Sequence, residues 1–478
     1  MMSDEVIRNE DYTNLIYSRE QVRDCVKGSN FVKRKQEVYL PIPSGMLDLP
    51  PAASSSATGT SRSLSITDFP WYHENPAYSS YLHRARFPDF TGSVLRGITG
   101  LVTREAPEYT LPGQAAEFDS VATVCGKNIV ELYGYSIGEV MQTGKICYVI
   151  DIKENNKPII AVYSAERNPN WEYGIIDGER VLISATFINE FASDSDGEES
   201  IKYELVNGIA ISQEYVSGKP VGDEVILTYV GKTLKRLPIF FAGAIDNTAK
   251  TDVIPLAGIS DTSLTIYRKD ADLSQAQYMT CNPTLFIFGI TDDQSPKVIG
   301  STVTVCISNP QAKAEYPATD TSALDHVAKT IDTLYAEAIS MGSQILGIGK
   351  KAAESAEALS IREASSGATL ITIVNLASKA ISDVLSFIEA WAGGSGTAEF
   401  KGSVDFADHS LTAQEQTAMV GSWLNRVISH DTVLNNFRAA NLLGDGVTNK
   451  QEKNKIKSEE EDILKATGEE GEGEPGDE

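Results

Sequence analysis

The sequence predicts an α+β fold, and three observations lead to this prediction. Between residues 145 and 244, short runs rich in Val, Ile, Tyr and Phe are separated by turn residues, which favours antiparallel strands over βαβ repeats. Residues 260–280 and 321–341 are each predicted to form a helix. Residues 353–392 repeat apolar side chains at i, i+3, i+4 and i+7, and at about 1.5 Å per residue this helix could span about 60 Å.

The remaining elements follow from the same patterns. An amphipathic stripe predicts a helix over residues 119–143, and Gly393-Gly394 is expected to end the long helix. The predicted strands of the central region are 145–152, 157–163, 180–191, 224–230 and 237–244. Two further short strands, 284–290 and 301–308, are expected between the helices at 260–280 and 321–341, and a smaller helical region is expected at 411–441.

Helix 260–280 is not cleanly amphipathic. Leu264, Tyr267, Ala271 and Tyr278 share one face that has little strongly apolar character. We therefore expect this helix to be poorly suited to a monomer core and better suited to a place between neighbouring subunits.

Length and charge limit the function classes. The 478 residues suffice for two to four modules, and the N-terminus is acidic and polar, unlike a secretory signal. No run of about 18 apolar residues predicts a membrane span, so a cytoplasm or a particle assembled there is the expected location. The net charge of −25 disfavours tight wrapping of nucleic acid. Residues 458–478 carry ten acidic residues and one lysine, and the charged end of the chain is expected to be disordered.

The cysteines and histidines do not predict a metal site. The five cysteines are scattered and never occur at C-x-x-C spacing, and the five histidines form no cluster near them. We expect the cysteines to be reduced and mostly buried, and we expect neither a metal ion nor a cofactor.

One catalytic pattern occurs. Gly134-Tyr135-Ser136-Ile137-Gly138 matches G-x-S-x-G, the nucleophile elbow of α/β-hydrolases, which needs a strand before the serine so that its hydroxyl is exposed on a strained turn. Here the flanking residues predict a helix, so we expect no catalytic residue and no enzymatic activity. A serine hydrolase that uses Ser136 remains the remote alternative.

Two ligand-binding patterns are incomplete. The loop at Gly347-Ile348-Gly349-Lys350-Lys351 lacks the first glycine and the final Ser or Thr of a phosphate-binding loop. Residues 194–197 resemble part of a calcium loop, but Tyr203 stands where a bidentate Glu would be needed. A solvated turn is the better interpretation of residues 194–197.

The order of elements resembles that of the portal proteins of tailed bacteriophages. These proteins have a β-containing region, a helix, a small two-stranded excursion, a second helix, a glycine-bearing loop and a very long helix. Local sequence agrees at YLHRARFPDFTGSVLRGITGLVTREAPEYTLP (81–112), ADLSQAQYMTCNPTLFIFGI (271–290) and ESAEALSIREASSGATLITIVNLASKAISDVLSFIEAWAG (354–393). The resemblance extends over roughly residues 10–440.

The resemblance implies a portal-like architecture, with an α/β wing, a two-helix stem, a small β clip, a long wing helix and a helical crown. The implied division is an N-terminal arm and flexible linker at 1–64, the wing at 65–255, the stem helices at 256–341 with the clip at 281–320, the tunnel loop, long wing helix and strand at 342–410, the crown helices at 411–445 and a disordered acidic tail at 446–478.

The resemblance also implies a homo-oligomeric ring, commonly of twelve subunits, at one capsid vertex of a virion assembled in the host cytoplasm. Double-stranded DNA would pass through the ring non-specifically during genome packaging and ejection. The implied protein partners are the terminase large subunit, head–tail connector or adaptor proteins, and the major capsid and scaffolding proteins, with no membrane. Another structural or connector protein of a virion is the main alternative.

Two groups of site residues follow. Lys350 and Lys351, with Gly347 and Gly349, are expected in the tunnel loop, where paired cations would touch DNA phosphates transiently. The clip residues expected to dock terminase are Asp292, Asp293 and Lys297.

Overall fold

The structure is a computed structural model, and it describes residues 7–46, 73–153, 157–189, 198–229, 231–250, 253–281, 286–288, 311, 313–315, 322–346, 368–394, 398–404, 406, 413–439, 442–443 and 448–468. The chain forms two compact units, residues 1–404 and 405–478. The mixture of helices and antiparallel sheets confirms the α+β prediction.

The described helices are α1 (Glu10–Lys27), α2 (Ser29–Arg34), α3 (Pro76–Arg84), α4 (Phe90–Val102), α5 (Ile129–Thr143), α6 (Ala257–Cys281), α7 (Ser322–Leu346), α8 (Ala368–Ala392), α9 (Ala413–Leu424), α10 (His430–Ala439) and α11 (Asn449–Gly468). The described strands are β1 (Glu108–Thr110), β2 (Lys145–Ile152), β3 (Pro158–Ser164), β4 (Asn170–Ile176), β5 (Glu179–Ile188), β6 (Glu199–Val206), β7 (Ile209–Val216), β8 (Lys219–Ile226), β9 (Thr228–Tyr229), β10 (Lys232–Thr233), β11 (Ile239–Gly243), β12 (Phe286–Phe288), β13 (Lys313–Glu315) and β14 (Glu399–Lys401).

A three-stranded antiparallel sheet, in the order β11-β2-β3, lies at the centre of the first unit. Helices α5 and α8 pack against it, which explains why the first six residues of β2 are buried. A strand covered on both faces has a continuous apolar sequence, and KICYVIDI has this character. The prediction of strand 145–152 is confirmed to the residue.

The second large sheet has the antiparallel order β4-β5-β6-β7-β8, and β8 is exposed along its whole length. Three of its connections are two-residue hairpin turns in which both residues have positive φ. They are Asp177-Gly178, Asn207-Gly208 and Ser217-Gly218. This turn geometry matches the twist of antiparallel strands and favours Asn or Asp followed by Gly. Strands β4, β6 and β7 were not predicted from the sequence.

The prediction of an N-terminal arm was wrong for residues 7–46. Val22 and Cys25 of α1 are buried in the body of the first unit, and Arg23 forms hydrogen bonds with Glu139 of α5 at 2.9 and 2.5 Å and with Glu166 at 2.9 Å. A partly buried arginine that pairs with two carboxylates fixes α1 in place. The predicted linker at 48–63 lies outside the described residues.

Helix α8 forms the described part of the predicted long helix, whose residues 353–367 lie outside that part. It is long and apolar enough to cross a membrane by length and composition. Its apolar side, which includes Ile373, Val384 and Trp391, is buried within the first unit. The helix ends before Gly393, whose φ of +81° is readily adopted only by glycine, as predicted.

The prediction of a disordered tail at 446–478 was wrong for residues 449–468, because Asn449–Gly468 forms α11. Residues 446–447 and 469–478 lie outside the described residues. Thr448 accepts from the backbone N–H of Gln451 and Gln451 accepts from that of Thr448, which forms a capping box. Lys453 forms an ion pair with Asp431 of α10 at 2.7 Å. This segment has little apolar surface, but its Lys, Glu and Gln residues have high helix propensity, which favours a helix. The predicted helical region at 411–441 is confirmed by α9 and α10.

Candidate functional site: the α6–α7 helix pair

In the sequence, the residues predicted to form the clip site and the tunnel loop follow the antiparallel helices α6 and α7, respectively. Gly258, at the start of α6, approaches Met341, near the end of α7, so the two helices run in opposite directions. Each has 25 residues and is therefore about 37 Å long at the usual rise per residue. Chain order thus assigns the predicted clip to one end of the pair and the predicted tunnel loop to the other.

The predicted site residues themselves are not described. Asp292, Asp293 and Lys297 of the clip, and Gly347, Gly349, Lys350 and Lys351 of the tunnel loop, all lie outside the described residues. Residues 301–308 and the calcium-like turn at 194–197 lie outside them as well. These assignments stay predictions.

The predicted excursion between the helices is present as an antiparallel strand pair. Strand β12 pairs with β13, with Phe286 opposite Glu315 and Phe288 opposite Lys313. The prediction of strand 284–290 is confirmed for the three residues of β12. Its observed partner is β13, at 313–315, which was not predicted from the sequence.

The first half of α6, residues 257–271, belongs to the core of the first unit. Leu264, Tyr267 and Ala271 are at most 1% exposed and pack with Cys25 and Leu82. The expectation that α6 suits a monomer core poorly was wrong for this half, because α1, α3 and α4 supply apolar contacts that one helix's own sequence cannot reveal. Burial raises the pKa of the Tyr267 hydroxyl well above its ordinary value.

The second half of α6, residues 272–281, has no buried residue. Tyr278 is 50% exposed and Met279 is 63% exposed. Tyr81 donates a hydrogen bond to Asp272 at 2.6 Å, and the Arg84 guanidinium lies 4.2 Å from the centre of the Tyr278 ring. Large apolar side chains therefore reach solvent on the half that leads to the strand pair.

Helix α7 is held against the body by α4 and α6. The Phe90 and Tyr335 rings meet edge to face at 5.3 Å. The helix continues to Leu346, five residues beyond the end predicted at residue 341, and Gly342 packs against Val94 of α4 where a side chain would collide. Gly342 therefore allows α4 and α7 to pack closely, and it does not end the helix.

The exposed Asp, Glu, Lys and Arg residues of α7 are mostly acidic. Asp325, Asp332 and Glu337 are exposed, with Lys329 as an exposed cation. Carboxylates on this surface would repel phosphates and reduce strong attachment to nucleic acid. This charge is in line with the net charge of the whole chain.

Ser136 lies in the middle of α5, whose start at Asn128 has a capping box with Glu131. The side chain is completely buried, and its hydroxyl donates to the carbonyl oxygen of Leu132 at 2.6 Å. Gly134 comes so close to Thr103 that a Cβ there would be 3.0 Å from it. The helical context predicted for the G-x-S-x-G pattern is confirmed, and Gly134 serves close helix packing. The helix itself starts ten residues later than predicted, after a turn at 120–128.

Of the four described cysteines, two are buried and two are exposed. Cys25 and Cys147 are buried, whereas Cys125 and Cys281 are exposed, so the expectation of mostly buried cysteines holds for two of them. Burial raises the pKa of the Cys25 thiol to about 12. In the part of the chain that the structure describes, no three His, Cys, Asp or Glu side chains come together as a metal site would need.

Comparisons with known proteins add a partial match. Residues 255–392 match a domain of unknown function, DUF4055. This match begins just before α6 and ends with the last residue of α8. No curated protein matches the chain.

Several solved structures are similar at low identity. A chain in the structure titled "Virion of native gene transfer agent (GTA) particle" is 11% identical, with a TM-score of 0.37, and the match covers 72% of this chain and 88% of that one. A chain of the "Neck of empty GTA particle computed with C6 symmetry" is 12% identical over the same shares, with a TM-score of 0.37. A chain of the "Neck of native GTA particle computed with C12 symmetry" is 12% identical, with a TM-score of 0.35 and the same coverage.

Proposed function

We propose that the protein is the portal protein of a tailed bacteriophage, the subunit of a ring through which DNA enters and leaves the capsid. The observation that carries the proposal is the series α6, β12–β13 pair, α7 and α8, in which two antiparallel helices enclose a small strand pair and a long helix follows. The sequence resemblance assigns the roles of stem, clip and wing helix to these elements in this order.

The surface of the helix pair supports assembly into a ring. The second half of α6 exposes Tyr278 and Met279, and α7 exposes Ile339 at 51%. Large apolar side chains exposed on a helix surface are typical of contacts with other subunits. In a ring, each subunit would cover these side chains of its neighbour.

The acidic charge of the chain suits a protein through which DNA slides better than a protein that binds DNA tightly. Each tight phosphate contact would be a barrier to sliding, and three carboxylates on the exposed face of α7 disfavour such contacts. The proposed ring, commonly of twelve subunits, would dock the terminase large subunit at the clip during packaging and connector proteins later. Lys350 and Lys351 are proposed to touch phosphates briefly in the tunnel.

Electron microscopy and native mass spectrometry of the purified full chain test the proposal. The expected result is a closed ring with an axial hole wide enough for a DNA duplex, and binding of the terminase large subunit. Monomers at micromolar concentration, or an assembly without an axial hole, would overturn it. A ring that binds connector proteins but not terminase would favour a different connector protein of the virion.

A further inference from the structure

A cleft of about 640 Å³ lies between α8 and the segment that joins β10 to β11. Its walls include Lys232, Arg236, Phe240, Asp383, Phe387 and Trp391. The volume falls within the range of sites that bind small molecules or the side chains of a peptide. None of these residues belongs to the predicted clip or tunnel loop, so the cleft is distinct from the candidate site at the α6–α7 helix pair.

Arg236 is the central cation of the cleft. Its guanidinium lies 5.1 Å from the centre of the Phe240 ring and 4.9 Å from that of Phe387, so two aromatic rings fix its orientation. It has no hydrogen bond and no ion pair within the described residues, which leaves its N–H groups available. An oriented guanidinium with available donors is suited to a carboxylate.

A second cation lies on the same wall. Lys232 is exposed, has no ion pair within the described residues, and its Nζ lies beside Gly393 at the end of α8. Two cations against the single carboxylate of Asp383 give the cleft a local positive charge. This sign is opposite to the net charge of −25 on the chain.

Asp383 and Trp391 also line the cleft. The Asp383 carboxylate is exposed and accepts no hydrogen bond among the described residues. Trp391 is only 7% exposed and its indole nitrogen is shielded from solvent, so it contributes apolar ring surface to the cleft wall. A complementary ligand therefore brings an anion, a hydrogen-bond donor and apolar surface together.

We propose that this cleft binds an acidic peptide segment of a partner protein, with a carboxylate on Arg236 and Lys232 and an adjacent apolar side chain against Phe387 and Trp391. A peptide backbone supplies the N–H for Asp383. A DNA duplex brings a continuous row of phosphates without an available donor for Asp383, and the acidic chain around the cleft repels such a row. This proposal stands apart from the portal proposal, because it requires only the cleft.

Fluorescence anisotropy with labelled peptides tests it on the full chain. The probes are an acetylated, amidated peptide Gly-Glu-Phe-Asp-Leu-Gly, its neutral counterpart Gly-Gln-Phe-Asn-Leu-Gly, and a short DNA duplex. The acidic peptide should bind in a salt-sensitive manner, and the neutral peptide should bind at least about tenfold more weakly, since hydrogen bonds between charged groups are stronger than those between neutral groups.

Variants connect the binding to the cleft. The double variant Lys232→Gln/Arg236→Gln should weaken binding of the acidic peptide about tenfold or more. Lys235→Gln is the matched control, because Lys235 adjoins Arg236, is exposed and does not line the cleft, so binding should change by less than about twofold. Arg236→Lys should retain the positive charge but lose the planar guanidinium that stacks on the aromatic rings, so it should weaken peptide binding less than the double variant does.

Three outcomes would overturn the proposal. They are no binding of the acidic peptide at millimolar concentration, equal binding of the acidic and neutral peptides, and undiminished binding of the acidic peptide by the double variant. Tighter binding of the DNA duplex, lost in the double variant, would assign the cleft to nucleic acid instead. If the double variant does not fold, as judged by circular dichroism, Lys232→Gln alone provides the same comparison, since this lysine is exposed.

Discussion

The two halves of α6 have similar sequences but different surroundings. Residues 257–271 are packed between α1, α3, α4 and α7, whereas residues 272–281 have no buried side chain. Both halves mix apolar and hydroxyl side chains with charged ones, and neither has a clean apolar stripe. The difference shows that burial of this helix is decided by its neighbours: the first half is buried by other helices of the same chain, whereas the second half exposes Tyr278 and Met279.

The largest expected effect is in thiol reactivity. Cys25 packs against the first half of α6 and Cys281 ends the second half, so a maleimide at neutral pH should modify Cys281 at least about a thousandfold faster than Cys25, whose exposure requires local unfolding costing about 4 kcal/mol or more. Peptide mass spectrometry locates each modified cysteine. Exposed Cys125 is the control, and comparable rates at Cys25 and Cys281 would contradict the comparison.

A core substitution in the first half should be strongly destabilising. Leu264→Ala removes a side chain that is 1% exposed, and it should lower the free energy of unfolding by about 3 kcal/mol through lost burial and the remaining cavity. Denaturant unfolding followed by circular dichroism measures the loss. A change below about 1 kcal/mol would show that this half of α6 is not packed as described.

Alkaline pH should destabilise the first half through Cys25. Burial raises the pKa of its thiol from the ordinary 9.0 to about 12, with a further contribution from the Asp24 carboxylate. A group whose folded pKa is raised contributes stability that is complete below pH 9 and is lost as pH rises towards 12, because the unfolded chain loses its proton first.

The expected size follows from the same shift. Between pH 8 and pH 10 the native protein should lose about 1.4 kcal/mol more unfolding free energy than the variant Cys25→Ala, which lacks this thiol. Urea titrations of both proteins at the two pH values measure the difference. Parallel pH dependence of the two proteins would exclude the thiol as its source.

The smallest expected effect is in the exposed half. Met279 is 63% exposed, so Met279→Ala should change the free energy of unfolding of the dilute monomer by less than about 0.5 kcal/mol. If the proposed ring covers this side chain, the same variant should shift the oligomer distribution towards monomers in native mass spectrometry. A stability loss as large as that of Leu264→Ala would mean that the two halves are equivalent.

Local sequence signals predicted some elements well because their cause is local. Strand β2 was predicted to the residue, since a strand buried on both faces needs an unbroken apolar run. The helical context of Ser136 was predicted because its flanking residues have helical periodicity, which a nucleophile elbow cannot have. The extent of α7 was missed at Gly342, because the packing of this glycine against Val94 depends on α4, far away in sequence.

Other features had weak or misleading signals. Strands β4, β6 and β7 contain Glu, Gln, Lys or Asn between their apolar residues, and their strongest signals were the turns Asp177-Gly178 and Asn207-Gly208. Helix α11 was predicted to be disordered, although its capping box at Thr448 and Gln451 could have been recognised. The cleft joins Arg236 to Asp383 and Trp391, which lie about 150 residues further along the chain, so no spacing in the sequence could indicate it.

The sequence by itself determined the α+β class, the position of β2, the helical context of Ser136, the end of α8 at Gly393 and the acidic character of the chain. Each depends on hydrophobic periodicity, on the conformational freedom of one glycine, or on a sum of charges, all of which are local or additive. Only the tertiary structure decided that α1 belongs to the body, that the first half of α6 is core and the second half is not, and that Lys232 and Arg236 face Asp383 across a cleft. These features depend on contacts between distant segments, because burial of a side chain is a property of what surrounds it and not of the helix that carries it.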